Sequence, residues 1–241
     1  MDRTSVGEMD PLRRVIPALD TDLLEEASGW VERFRGRLSL FKVGSQLFTR
    51  AGPRAVEAIR ERGAEVFLDL KYHDIPNTVS GAARAATAMG VTFFNVHALG
   101  GAEMIRMAVE ASREEAGRRR LPAPKVLAVT VLTSLDGPQL DLVGLRDGVE
   151  ACVMRLAHLA VEAGADGLVA SPREVRALRE TFGERTLLVT PGIRVEQSPR
   201  DDQRRVMGPR EALDAGADYL VMGRSLLEAT DPVEFLENAL K

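Results

Sequence analysis

Three ionisable side chains, Asp69, Lys71 and Asp74, fall within six residues of the segment Phe67-Leu-Asp-Leu-Lys-Tyr-His-Asp-Ile-Pro-Asn77. They follow an apolar run, and burying charge is costly unless the charges are paired or used. Positions i and i+2 of a strand share a face, so Asp69 and Lys71 stand side by side. A lysine needs a depressed pKa to act as an amine nucleophile. Flanking carboxylates do the opposite and favour the ammonium. Lys71 is therefore expected to be a proton donor. Asp69 and Asp74 could hold Mg²⁺ with substrate oxygens, but the intervening Lys71 would repel a metal.

Further candidates sit at the ends of other apolar runs: Asp20, Lys42, Thr133 and Ser134, the string Pro191-Gly-Ile-Arg194, and Gly223-Arg224. Arg194, Gly223 and Arg224 suggest a phosphate site, since Arg makes bidentate, charge-assisted contacts and barrels often bind phosphate after strands seven and eight. Taken singly, Asp20 would serve as a helix cap and the arginines as surface ion pairs. Converging on one rim, they are hard to explain by stability alone. His73, His97 and His158 have no His or Cys partner at zinc spacing. His73 lies within the charged motif and His97 at its strand end, and packing or hydrogen bonding suits both. No metal site is expected. Cys152, the only cysteine, lies in a helical pattern and reads as a small buried apolar residue.

The elements that must carry these groups repeat along the chain. A helix end, a glycine and a short apolar strand recur in Arg62-Gly-Ala-Glu-Val-Phe-Leu-Asp69, Met89-Gly-Val-Thr-Phe-Phe-Asn-Val96, Ala163-Gly-Ala-Asp-Gly-Leu-Val-Ala170 and Ala215-Gly-Ala-Asp-Tyr-Leu-Val-Met222. Glycine supplies the left-handed residue that ends a helix. The following run suits a strand buried on both faces of a parallel sheet. The pattern predicts strands at 15–20, 40–44, 66–71, 93–98, 125–132, 167–171, 187–191 and 219–223. Amphipathic segments separate them, such as Glu103–Arg119, with Ile105, Ala108, Val109 and Ser112 on one side. Eight such units in 241 residues predict a single α/β domain, a (β/α)8 TIM barrel over residues 14–241. An open doubly wound sheet stays possible, although Asp20-Thr-Asp-Leu23 is no glycine-rich phosphate fingerprint. Residues 1–13 show no periodicity and are expected to be a flexible leader. Two polar loops, 133–147 and 194–205, would lie on the catalytic face and act as lids.

Composition narrows the partners. Hydrophobic content is 45%, charged content 28% and net charge −4. Acids and bases are interspersed, which gives no footprint for nucleic acid. The basic run Arg118-Arg-Arg120 reads as a solvated helix end. No apolar stretch approaches the ~20 residues of a membrane span, and the N-terminus has no apolar signal core. One cysteine suits a reducing cytoplasm.

With those residues in view, the chain resembles the orotidine 5′-phosphate decarboxylase family, in its bacterial branch. The resemblance runs from Ala18-Leu-Asp20 through Phe41-Lys-Val-Gly44, Leu68-Asp-Leu-Lys-Tyr-His-Asp-Ile-Pro-Asn-Thr78, Val96-His-Ala98, Val131-Leu-Thr-Ser134 and Thr190-Pro-Gly-Ile-Arg194 to Gly223-Arg224. Asp-x-Lys-x-x-Asp alone is shared with a barrel branch acting on sugar-acid phosphates; the longer strings are more specific. Tyr72 stands where the family commonly has Phe. The resemblance implies that Lys71 protonates C6 of the pyrimidine and that Lys42, Asp69, Lys71 and Asp74 form an alternating charge array. It implies that Asp20 and Lys42 contact the ribose hydroxyls, and Thr133 the pyrimidine. Arg194, Gln203, Gly223 and Arg224 would form the phosphate grip, with Pro191 also among the substrate-binding residues. It further implies a homodimer with shared sites, in which Asp74, Ile75 and Thr78 serve the neighbouring subunit. No thiamine, pyridoxal or metal motif is visible, so the expected decarboxylation of orotidine 5′-monophosphate to UMP uses no cofactor and relies on fixed charges.

Two other readings stay open. One is a Mg²⁺-dependent sugar-phosphate decarboxylase or epimerase with the same Asp-Lys-Asp strand. The other is a silent barrel that binds nucleotides and regulates a partner. A binder has no need of a proton donor between two acids.

Overall fold

A strand covered on both faces needs apolar residues at successive positions, and the chain supplies such runs eight times. In the computed structural model, which describes residues 9–194 and 207–241, they form β1 (Val15–Pro17), β2 (Leu40–Gly44), β3 (Glu65–Tyr72), β4 (Phe93–His97), β5 (Lys125–Val129), β6 (Gly167–Val169), β7 (Leu187–Thr190) and β8 (Tyr219–Met222). Every residue of β1, β2, β6, β7 and β8 is buried. The helices among the described residues are α1 (Leu24–Arg33), α2 (Ser45–Ala51), α3 (Arg54–Arg60), α4 (Pro76–Ala88), α5 (Gly101–Arg119), α6 (Gly137–Leu142), α7 (Val149–Glu162), α8 (Val175–Phe182), α9 (Pro209–Asp214), α10 (Arg224–Leu227) and α11 (Pro232–Ala239).

Neighbouring strands pair in parallel from β2 through β8, and β8 pairs with β1. An isolated bridge between Ala18 and Lys42 closes the ring, and Leu19 N–H donates to the Lys42 carbonyl at 3.0 Å. The expected barrel is present, and the open sheet is excluded.

Adjacent residues on a strand face opposite sides, so each strand feeds two cores. Phe67 and Phe93 join the cluster inside the ring with Ile16, Leu40 and Tyr219. Leu68 and Phe94 join the larger cluster under the helices with Phe34, Met104 and Ile105. Inside, Phe93 meets Phe67 edge-on at 6.1 Å and Tyr219 at 5.4 Å. Each such ring stabilises the fold by about 1.5–3 kcal/mol through burial, and the edge-on contacts add to this. Phe67 also lines the cavity described below, so this aromatic layer is the floor of the site.

The recurring glycines Gly63, Gly90, Gly164 and Gly216 all have positive φ, from 72° to 108°, as the helix-ending pattern predicts. The aspartates of the two Gly-Ala-Asp repeats have a structural use. Asp166 Oδ2 accepts from Val126 N–H at 3.0 Å, and Asp218 Oδ2 from Leu188 N–H at 2.8 Å. Each ties the start of its own strand to the preceding one. Asp218 is fully buried and also paired with Arg179 at 2.7 Å; losing either partner would leave an uncompensated buried charge.

Some boundaries differ from expectation. Within the stretch expected as a leader, Pro11–Arg14 forms a 3₁₀ turn capped by Asp10, and Leu12 is buried. Regular structure among the described residues therefore starts at Pro11, and residues 1–8 lie outside the described ones. Strand β1 stops at Pro17 because Asp20 and Thr21 turn back, their amides bonding Ala18 and Leu19 carbonyls. The loop after β5 is not wholly irregular: α6 forms within it, started by a reciprocal Asp136–Gln139 capping box. Most of the second expected lid, 194–205, lies outside the described residues. No described helix is long and apolar enough to cross a membrane.

Candidate active site

Strand ends on the C-terminal face of a barrel converge on its mouth. Here they surround a cavity of about 250 Å³. Asp20 follows β1, Lys42 sits on β2, and Asp69 and Lys71 sit on β3; all four line it. Thr133 follows β5, Pro191 and Arg194 follow β7, and Gly223 and Arg224 follow β8; these line it too. The apolar wall comes from Phe67, Val129, Val131, Leu132, Val169 and Val221.

The charges form a connected chain. Lys42 Nζ lies 3.1 Å from Asp20 Oδ1 and 3.3 Å from Asp69 Oδ2. Lys71 Nζ lies 2.7 Å from Asp69 Oδ1. Acid and base thus alternate from Asp20 through Lys42 and Asp69 to Lys71. Gly44 makes room for the first pair: a Cβ there would come within 2.8 Å of Lys42 Nζ.

Burial would push the Asp69 carboxyl up, but Lys42 and Lys71, then hydrogen bonds from Lys71 and Asn95, hold it at about 2. For Lys42 burial acts downward, yet Asp69 and Asp20 keep its pKa above the ordinary value. Both groups are therefore ionised at neutral pH.

The side-by-side placement of Asp69 and Lys71 is present, but β3 is not regular there. Its register against β4 shifts between Leu68 and Tyr72, and Lys71 has φ 49°, rare for a side-chain-bearing residue. The backbone is bent where the ammonium is presented.

Asp74, Ile75 and Thr78 are not brought to this cavity. Asp74 is exposed and its Oδ1 accepts the Ile75 amide at 2.6 Å. Ile75 is 67% exposed, and Thr78 is exposed on α4. Gln203 lies outside the described residues. His73 and His97 stack on each other at 5.3 Å, and His97 Nδ1 accepts the Leu99 amide. Burial first, then His73 and Lys71, pull the His97 pKa down to about 4.

One site residue was not assigned from sequence: Asn95. It is fully buried, donates from Nδ2 to Asp69 Oδ1 at 2.7 Å, and accepts the Lys71 amide at 2.8 Å. The signal was an amide side chain inside the apolar run Phe93-Phe-Asn-Val96, since a buried amide requires partners.

The arrangement offers an ionised carboxylate and an ammonium side by side in a partly apolar pocket, with two arginines on the same rim. It can bind a polyanionic substrate, oppose a second carboxylate near Asp69, and donate a proton from Lys71. Among the described residues there is no group of three or more His, Cys, Asp or Glu placed to hold a metal.

Comparison with known proteins agrees with this geometry. The family model described as "Orotidine 5'-phosphate decarboxylase / HUMPS family" matches residues 13–239. A protein of Moorella thermoacetica named orotidine 5'-phosphate decarboxylase is 54% identical over 221 residues, 91% of this chain and 88% of that protein. One of Trichlorobacter lovleyi with the same name is 50% identical over 224 residues, 93% of this chain and 92% of that protein. The crystal structure of orotidine 5'-phosphate decarboxylase from Lactobacillus acidophilus superposes with a TM-score of 0.82 at 37% identity, covering 95% of this chain and 99% of that one.

Proposed function

The chain belongs to the orotidine 5'-phosphate decarboxylase / HUMPS family, and on that premise we propose that it converts orotidine 5′-monophosphate to UMP and CO2, with Lys71 as the proton donor. The observation that carries the reading is the Asp20–Lys42–Asp69–Lys71 charge chain at the mouth of a cavity rimmed by Arg194 and Arg224. The names of the relatives favour the nucleotide over the Mg²⁺-dependent sugar-phosphate alternative.

The substrate's C6 carboxylate would lie near the Asp69 carboxylate, and that repulsion is relieved as CO2 leaves. The C6–carboxylate bond breaks and its electron pair stays on C6. The Lys71 ammonium stabilises that pair electrostatically, then gives it a proton. Lys71 is left as a neutral amine and regains a proton from water. Asp20 and Lys42 hold the ribose hydroxyls, Thr133 the pyrimidine, and Arg194, Gly223 and Arg224 the phosphate, with Gln203 completing that grip and Pro191 lining the cavity beside it. Binding energy from the phosphate, remote from C6, drives ordering around the reacting ring.

The second carboxylate of the motif enters from a partner in this reading. Asp74, Ile75 and Thr78 are exposed on one chain and miss its own cavity, which supports a homodimer whose subunits complete each other's sites. The reaction belongs in the cytoplasm, as the single cysteine suggests.

Following the absorbance of orotidine 5′-monophosphate with and without EDTA tests the activity. Consumption at equal rates is expected. Turnover that disappears with chelator, or occurs only with a sugar-acid phosphate, refutes the reading.

A further inference from the structure

We propose that Asn95 is a positioning residue for this decarboxylation, holding the Lys71 backbone and the Asp69 carboxylate in one frame while the ammonium delivers its proton. The inference rests on the roles given above to Lys71 and Asp69.

The geometry of β3 and β4 creates the need. Leu68 pairs with Phe94 and Tyr72 with Val96, so four steps on β3 oppose two on β4. The ladder is broken over Asp69, Leu70 and Lys71, the stretch that holds both charged groups of this strand. Lys71 is held there at φ 49°, a conformation that persists only when its surroundings impose it. Asn95 is the group that spans the break. Its Oδ1 takes the Lys71 amide at 2.8 Å, replacing the ladder bond that the bulge removes. Its Nδ2 donates to Asp69 Oδ1 at 2.7 Å. Phe94 and Val96, on either side, are fully buried, so the amide is locked in a packed strand.

Asp69 Oδ1 is shared: Lys71 Nζ and Asn95 Nδ2 both donate to it, each at 2.7 Å. Once Lys71 has given up its proton, its neutral amine holds the carboxylate less strongly. Asn95 Nδ2 on Oδ1 and Lys42 Nζ near Oδ2 still fix both oxygens. The carboxylate then cannot swing after the departing charge, and the amine stays aimed for reprotonation. The charged groups that act on Asp69 are Lys42 from β2, itself paired with Asp20, and Lys71 on β3; His97 of β4, stacked on His73, feels the Lys71 charge. Asn95 is the neutral member of this set, so it supplies a donor without adding charge.

Asn95→Ala removes both bonds. Asn95→Asp keeps an acceptor for the Lys71 amide but turns an oxygen toward Asp69. In Asn95→Ala, kcat should fall about tenfold to a hundredfold, the scale of a hydrogen bond to a charged group. KM should stay within about twofold, because the ribose and phosphate groups are untouched. The acid limb of kcat should move to higher pH. Asn95→Asp should lose more at neutral pH and recover as pH falls, when one of the two facing acids takes a proton. If Asn95→Ala does not fold, Asn95→Ser, whose hydroxyl is smaller but still polar, carries the same measurements. Wild-type kcat and acid limb in these variants, with only the melting temperature lowered, would overturn the proposal; so would a rise in KM at constant kcat. A fully active Lys71→Ala refutes the donor reading itself. An inactive Lys71→Ala beside unaltered Asn95 variants refutes only this inference.

Discussion

Lys71 Nζ reaches Asp69 Oδ1 at 2.7 Å across a kink, not along a regular pleat, because Lys71 itself has φ 49°. The ammonium is thus set by a local backbone distortion, the kind of strain that collects at functional sites. Its partner Asp69 keeps Lys42 and Asn95 when Lys71 is removed.

Lys71→Ala should therefore abolish UMP formation while the barrel persists. The check is to measure turnover beside circular dichroism and UMP affinity. A correctly folded variant with near-wild-type turnover would remove Lys71 from the mechanism.

Arg224 lines the rim beside Gly223. Arg224→Ala should weaken UMP binding by about 1.5–3 kcal/mol, as expected for a lost charge-assisted hydrogen bond. Calorimetry on UMP and on uridine separates the cases: the loss should appear with the phosphorylated ligand only. Equal affinity of wild type and variant for UMP would count against the phosphate assignment.

Asp69 and Asp74 point to different places in one chain, the first into the cavity and the second to the exterior. Separate Asp69→Asn and Asp74→Asn variants should each be inactive, and mixing them should restore part of the activity through hybrid dimers. No recovery, with subunit exchange verified by mass, would mean that each site is built within one chain.

Stability should fall in two steps on acidification. Unfolded His97 takes a proton near its ordinary 6.5, while the folded residue resists down to about 4. Stability is thus lost as pH falls from about 6.5 to 4, on the order of 2 kcal/mol after solvent screening. The depressed Asp69 carboxyl contributes fully above its ordinary 3.8, and that contribution goes as pH falls toward about 2. Urea midpoints across this range should decline, and His97→Gln should flatten the upper step. An unchanged slope in the variant would contradict the assignment.

The strand ladder was legible because burial on both faces leaves contiguous apolar runs: residues 40–44 are a strand as expected. Asp20, Lys42, Asp69, Lys71, Thr133, Pro191, Arg194, Gly223 and Arg224 meet in one cavity because strand ends of a parallel barrel must converge. The kink at Lys71 was not legible, since period-two reasoning assumes a regular strand. Asn95 was hidden for the same reason: its partners exist only because the ladder breaks. The 3₁₀ turn around Leu12 is too short to leave a periodicity, and its order comes from contacts distant in sequence. Arg14 Nε, for example, donates to the Asp218 carbonyl at 3.0 Å.

The join between first and second strands has a consequence for durability. The seam is made by the Ala18–Lys42 bridge and the Leu19 amide on the Lys42 carbonyl, whereas β2 and β3 are registered over five residue pairs. A partial opening at this thin seam should draw Asp20 away from the Lys42 ammonium before β2 and β3 separate. On warming, activity is expected to fall while most of the secondary structure survives, and deuterium is expected to enter the Leu19 amide ahead of the amides of β2 and β3.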